Sequence, residues 1–569
     1  MKNHTVKQVV MLLMLIAAGG ALAAPARKVL NVVNFVRALD PRMPKAEYVR
    51  ALDEEVKLNR KYGFPNTVLL QYDALVDAEM LATARKSDPA KTEFGFWFEM
   101  SRPLNEAAGL PWKPTAKHRD WNWDWFINPG FLMAYDHDGR RRLVDAAFAK
   151  FRELFGHYPK SVGSWLLDAY SMDYMVEKYG VDGFCICREQ DNTDAYGLRG
   201  GYSNGAYYPS KRNMLSAAVD MKNAVGSPVF KMLTSDPIHN YGNPDRLYSD
   251  YPYKTGCATL EPVWNTGFEP RIVDWFFRVY TEPKGLLNLS YMQAGQENSF
   301  GWKNISKGWP MQCAKIAAEA AAGRLVVETM GETARRFKAD HPANCPQTQV
   351  ALEDWNGNRR KSIWYNSRFY RANLILDGGR LVFRDIHKMA DDFEEPFLDK
   401  VCTGWQALYF TPPVVDQWLF RDKGVSGTLA FDGAFASLAA EPTPADGLVV
   451  TAVRPTGERV TVRFDEGRIA VKGTGLSAEY ARAFREKMSI GANALGFDFS
   501  GYRYRVPVTG ELTATERGYR LTGEEIVLDL AGATEDSRLP TEELTTFGSR
   551  QSSVAAAVVC PLSSVAPFH

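Results

Sequence analysis

The sequence predicts an α/β protein, a (β/α)7 barrel followed by a β-rich, sandwich-like C-terminal domain. Three observations predict it. Seven short apolar segments alternate with amphipathic stretches up to about residue 307, and from about Cys345 the pattern changes to short strands separated by turn residues. The chain is also long enough, at 45% hydrophobic and 12% aromatic residues, to bury cores of that size. Seven βα units in one domain favour a parallel barrel over an open doubly wound sheet.

Residues 1–23 carry Lys2 and Lys7, an apolar run from Val9 to Ala18, and Ala21-Leu22-Ala23 before Ala24-Pro25. This is the pattern of a cleavable signal peptide, and the run is too short to span a bilayer. The mature chain is therefore expected to be secreted or periplasmic, with no membrane anchor. The seven strand-like segments are Val29–Val36, Asn66–Gln71, Glu93–Phe98, Ser161–Leu167, Gly183–Cys187, Val229–Thr234 and Leu286–Tyr291. Between them, helical stretches such as Lys45–Tyr62 and Arg140–Phe155 each precede a glycine, Gly63 and Gly156, suited to a C-cap. Two long excursions, Ser101–Asp138 and Asn192–Lys222, are rich in Trp, Tyr, Asn and Gly, as binding or lid loops are. In the first, Trp121-Asn-Trp-Asp-Trp125 places three indoles on alternate positions, either as a sugar-facing platform or as a hydrophobic pad. These limits give a barrel over 24–307, a helical connector over 308–344 with the small-residue run Ala314–Ala322, and a β-sandwich-like domain over 345–544. The last stretch, 545–569, lacks periodicity and is expected to be poorly ordered.

A net charge of +1 offers no general attraction for nucleic acid, and with fourteen Trp the composition suits a neutral ligand such as carbohydrate. Seven cysteines are too few and scattered for a disulfide scaffold, and an odd number leaves at least one free thiol. Cys185 and Cys187 sit on one expected strand, where packing is a commoner role than a bridge. None of the eight histidines forms an HxH or HxxxH pair, so no metal site and no cofactor are expected.

Chemistry in α/β folds collects where strands end, which makes Asp168, after Trp165-Leu-Leu, the first candidate for a reacting carboxylate. Its competing role is as N-cap of the helix that follows. Asp236 follows the sixth strand, with a turn cap as its alternative, and Glu297 follows the seventh in a polar run that could also be a self-satisfied turn. Other strand ends supply Asn34 and Arg37, Gln71, Tyr72 and Asp73, Trp97 and Glu99, Arg188 and Glu189, Glu261, and Gln293 and Gln296. With Trp123, Trp165 and Tyr170 these are the expected substrate-binding residues, since sugar hydroxyls need donors and acceptors together with apolar faces.

The segment around Asp168 resembles the nucleophile region of glycoside hydrolase family 38, and that of family 57, through Trp165, Asp168, Tyr170, Gly180 and Asp182. The resemblance implies the barrel of the glycoside hydrolase/deacetylase superfamily, with Asp168 as nucleophile and an acid near Asp236 as acid/base. The first strand departs from it: family 38 binds zinc there through His-x-Asp, whereas this chain reads Asn34-Phe-Val-Arg37. The paired Asp and HxxxH of NodB-like polysaccharide deacetylases are also missing. The expectation is thus an exported, metal-independent, carbohydrate-active enzyme. A retaining glycoside hydrolase, needing two carboxyls about 5 Å apart, is preferred. A deacetylase-like hydrolase with altered chemistry and a non-catalytic sugar-binding barrel are the alternatives.

Overall fold

The computed structural model describes residues 26–189, 195–239, 258–422, 424–483 and 487–532. The expected signal segment, the expected C-terminal tail, Cys257 and Cys560 lie outside them. The seven expected strands are present as β1 (Arg27–Val36), β2 (Asn66–Leu70), β3 (Thr92–Trp97), β4 (Ser161–Gly163), β5 (Gly183–Ile186), β6 (Val229–Lys231) and β7 (Leu289–Ala294). They run parallel in the order β7-β1-β2-β3-β4-β5-β6.

No strand pairing among the described residues joins β6 to β7, so the sheet is curled rather than closed by a continuous ladder. Side chains span the seam. Thr234 Oγ1 donates to the Gln293 carbonyl at 2.9 Å and accepts from the Gln293 amide at 2.7 Å, and Phe230 packs on Tyr291 at 4.8 Å between ring centroids. The enclosed face is filled by alternate residues of each strand, as a period of two requires. Phe35 stacks on Trp97 at 4.2 Å, and Trp165 meets both edge-on at 5.3 and 5.5 Å. Cys185 lies in this core, whereas Cys187 packs in the outer cluster.

The longer helices are α1 (Lys45–Tyr62), α2 (His137–Phe155), α3 (Ala169–Tyr179), α4 (Pro270–Thr281), α5 (Trp309–Ala321) and α6 (Met330–Asp340). As the sequence predicts, α1 and α2 stop at Gly63 and Gly156, both left-handed with φ of 66° and 79°. The expectation for 308–344 needs correction. It is not a helical connector, because a strand, β8 (Val326–Glu328), interrupts it and pairs parallel with β1. Helix α6 then plugs the N-terminal end of the sheet, with Met330, Ala334 and Phe337 in the enclosed core. Its first turn is held by Glu93 and Thr67, which accept from the Gly331 and Met330 amides at 2.9 Å.

The C-terminal region is a fourteen-stranded, largely antiparallel sheet that begins at Gln347–Ala351. Its strands are hydrogen-bonded into one sheet wrapped over a single core. The segment between its strands Arg380–Lys388 and Pro413–Asp416 crosses back over the parallel unit as a strap. Arg140 of α2 donates to the carbonyls of Phe397, Leu398 and Lys400, the Cys402 amide donates to the Met133 carbonyl, and Ala407–Phe410 pairs parallel with Tyr196–Arg199. No helix among the described residues is long and apolar enough to cross a membrane.

Candidate functional site

A group of charged side chains gathers at the C-terminal ends of β1, β3 and β7, where one guanidinium joins two carboxylates. Arg37, just past β1, donates from Nε and Nη2 to Glu99 at 2.7 and 2.9 Å, and from Nη1 to Glu297 at 2.6 Å. Bidentate geometry of this kind fixes both partners in direction as well as distance. Arg42 approaches Glu297 from the other side at 3.2 Å while its Nε donates to Asp40 at 2.9 Å; its side chain is 40% exposed, against 3% for Glu297. Trp97 Nε1 donates to Glu99 at 2.8 Å, and the ring of Trp123 lies under Arg37 at 4.7 Å and Arg42 at 5.5 Å.

A third carboxyl adjoins them. Glu261 accepts from Gln296 Nε2 at 2.6 Å and from Trp264 Nε1 at 2.7 Å, and Gln296 Oε1 in turn accepts from the Glu297 amide at 2.7 Å. Burial, opposed by the Gln296 hydrogen bond and helped by the negative charge of Glu297, pushes the Glu261 carboxyl up to about 7. Arg188 lies close enough to oppose this shift. Burial also raises Glu99, against the pull of Arg37. Asp40 is held below the usual carboxylate range because the hydrogen bonds and charge of Arg42 outweigh its burial.

Local backbone constraints hold this arrangement. Gly295, between β7 and Gln296, has φ of 123°, and a Cβ there would lie 1.9 Å from the Val33 carbonyl oxygen. Only glycine lets the β7 end lie this close to β1. Gly267 plays a similar part for Glu261, whose carbonyl oxygen would be 1.8 Å from an added Cβ. The loop bearing Arg37 and Asp40 is pinned by Asp73, which accepts from the Ala38 and Leu39 amides at 2.9 and 2.8 Å; burial pushes its carboxyl up to about 6.

Of the residues singled out by sequence, Arg37, Trp97, Trp123, Arg188, Gln296 and Glu297 meet in this group. Gln71 follows β2 directly beside it, fully buried, and neither amide atom has a hydrogen-bond partner among the described residues. The others are placed elsewhere. Asp168 caps α3: it accepts from the Ser171 amide and hydroxyl at 2.9 and 2.8 Å and from Arg140 at 2.9 Å. It makes no hydrogen bond or ion pair with the Arg37 group. Tyr170 stacks on His137 at 3.7 Å, outside the strand ends. Asp236 caps a turn, accepting from the amides of Ile238 and His239 at 2.7 and 2.9 Å and from Trp355 Nε1 at 2.5 Å. Asn34 is on the outer face, accepting from Asn59 of α1 at 3.3 Å, because its position in β1 is even where Arg37 is odd. Gln293 belongs to the β6–β7 seam, and Trp165 to the enclosed core.

Asp40, Arg42 and Trp264 have no counterpart among the residues chosen by sequence, and Glu99 and Glu261 were noted only as strand-end acids. Pro41 between Asp40 and Arg42, and Pro262 between Glu261 and Trp264, mark the turns that present them.

This donor set does not fit a divalent cation. Glu99 and Glu297 are already matched by Arg37 and Arg42, Glu261 is bonded to Gln296 and Trp264, and no described histidine joins them. Among the described residues the trio Asp385, His387 and Asp416 could bring ligand atoms within 4.8 Å, but it lies apart, in the antiparallel sheet. There Asp385 is paired with Arg371 at 2.7 Å, Arg371 also holds Glu189, and His387 is bonded to Asp416 at 2.9 Å, which makes the trio part of a buried ion-pair network.

No family model matches the chain, and no curated protein matches it. Its fold is similar to that of a solved chain from Parabacteroides distasonis provisionally described as a glycoside hydrolase/deacetylase, with TM-score 0.52 and 14% identity over 71% of this chain and 94% of that one. A provisionally described polysaccharide deacetylase from Mycobacterium smegmatis overlaps at TM-score 0.32 and 13% identity, over 56% of this chain and 95% of that one, too weakly to bear on the fold. At this identity the first likeness concerns the fold alone.

Proposed function

We propose that this protein is a carbohydrate-active hydrolase that cleaves glycosidic bonds without a metal, using Glu261 and Glu297 as its carboxyl pair. The observation that carries the reading is the adjacency of two carboxyls with different environments. Glu261, raised to about 7, holds a proton near neutral pH. Glu297 accepts from two guanidiniums, the setting of a carboxylate. Glycoside hydrolysis divides its work this way: a protonated acid delivers a proton to the leaving oxygen, and a carboxylate attacks the anomeric carbon or activates water.

In this mechanism Glu261 protonates the glycosidic oxygen, its position set by Gln296 and Trp264. Glu297 acts on the opposite side of the anomeric carbon, as nucleophile in the preferred retaining course, with Arg37 and Arg42 holding its oxygens. Gln71, whose buried donor and acceptor have no partner among the described residues, binds sugar hydroxyls. Asp168 and Asp236 then serve as caps. The N-terminal segment supports export, and comparing the mass of the protein from a periplasmic extract with that of the full chain tests it.

The test is a screen of aryl glycosides with wild type, Glu297→Gln, Glu261→Gln and Asp168→Asn. Each Glu substitution is expected to lower kcat by roughly 10²–10⁴-fold, while folded Asp168→Asn keeps wild-type turnover. Loss of turnover in Asp168→Asn with full activity in both Glu variants would return the reaction to Asp168. Azide restoring turnover to Glu297→Ala as a glycosyl azide supports the retaining course.

A further inference from the structure

The aromatic residues of the long loop after β3 do not stop at the carboxyl group. Trp123 lies buried under Arg37, but Trp121, Trp125 and Phe126 are partly exposed and continue outward. Arg42, which pairs with Glu297, lies 5.8 Å from the centre of Trp125. Trp125 is 5.3 Å from Trp121 and 5.8 Å from Phe126, and Phe126 is 5.4 Å from Trp405, all between ring centroids. Trp405 comes from the strap and is 59% exposed; among the described residues the other large exposed apolar ones are the valines Val76, Val326 and Val401. Its backbone carbonyl accepts from the Ile127 amide at 3.1 Å, which ties the strap to this loop while the indole stays outside.

The row is held rigid. His118 stacks on Trp121 at 3.9 Å and 2°, and its Nδ1 is 2.9 Å from Asp124, which also accepts from the Thr115 hydroxyl and the Phe126 amide. Partly exposed aromatic faces suit pyranose rings, which present C–H faces to them. Ring spacings between 5.3 and 5.8 Å are comparable with one sugar residue of an extended chain.

From this continuity we infer that the substrate is a neutral polysaccharide, and that Trp405, with Phe126 and Trp125, forms a distal subsite leading its chain to Glu297. The inference rests on the carbohydrate-hydrolase reading above and names the substrate class of that site. The strap therefore supplies part of the binding surface, so the C-terminal region takes part in recognition.

Native gel electrophoresis through gels containing xylan, galactomannan, pullulan or hydroxyethylcellulose tests it, with wild type, Trp405→Ala, Trp405→Phe and Glu297→Gln run side by side. Wild type and Glu297→Gln are expected to be retarded by at least one polymer. Trp405→Ala should weaken that association roughly three- to tenfold, the range of one aromatic stacking contact, and Trp405→Phe should keep most of it. On the retarding polymer Trp405→Ala should raise KM, with KM for an aryl monoglycoside unchanged. Equal retardation of Trp405→Ala and wild type overturns the proposal, as does absence of retardation by all four polymers. Undiminished turnover by Glu297→Gln would instead remove the catalytic assignment while leaving the gel result to stand.

Discussion

Glu261 and Asp168 are both buried carboxyls of the parallel unit, yet their neighbours give them opposite work. Asp168 meets a guanidinium, an amide and a hydroxyl, a complete set of partners for a helix cap. Replacing it by Asn should cost about 1–3 kcal/mol, between the loss of a cap and the breaking of a buried pair, read as a lower Tm without loss of turnover per folded molecule. Glu261 has neutral donors and a negative neighbour, and its raised pKa gives a pH dependence with a definite sign. As a general acid it must keep its proton, so kcat should fall as pH rises past about 7. Glu261→Gln should abolish that descending limb in whatever activity remains. The sequence made Arg37, Gln296 and Glu297 legible as strand-end groups, because their positions depend only on where an apolar run stops. It could not tell Asn34 from Arg37, since a shift of three positions along β1 moves a side chain from the enclosed face to the outer one.

At the level of elements, the Gly295 turn sets the distance between β7 and β1, and hence between Glu297 and Arg37. Gly295→Ala puts a methyl against the Val33 carbonyl and strains a backbone with φ of 123°. A loss of about 1–3 kcal/mol in stability is expected, with kcat/KM falling by up to about 10²-fold because the carboxylate moves. Chemical denaturation followed at two wavelengths, alongside the aryl glycoside assay, measures both. The seven strands were visible from their apolar runs, and α1 and α2 from their periodicity and terminal glycines. Strand β8 was not, because only Glu328 of its three residues is buried and it lies between two helices. The curvature that brings Thr234 to Gln293 was equally invisible, since those residues are 59 positions apart.

At the level of the whole molecule, several buried carboxyls are raised by burial: Asp73 to about 6, Glu261 to about 7, and Glu395, with the charge of Asp168 adding to its burial, upward as well. A carboxyl whose folded pKa exceeds its unfolded value binds more protons when folded, so its contribution to stability is full below the unfolded pKa and is lost as pH rises through the folded one. These groups should therefore make Tm fall by several degrees between pH 5 and pH 8. Glu395→Gln should flatten the upper part of that slope in a calorimetric series.

The strap gives this slope a setting. Glu395 accepts from the amides of Ala169 in α3 and Met214, and its neighbours in the strap bind Arg140, so the antiparallel region grips the parallel unit at the start of α2 and α3. A chain clasped in this way cannot be cut into cassettes: severed at residue 344, the first unit loses its clasp and the second its anchorage. Folding is then expected to be cooperative across the junction, with one calorimetric transition for the intact protein and none for either half.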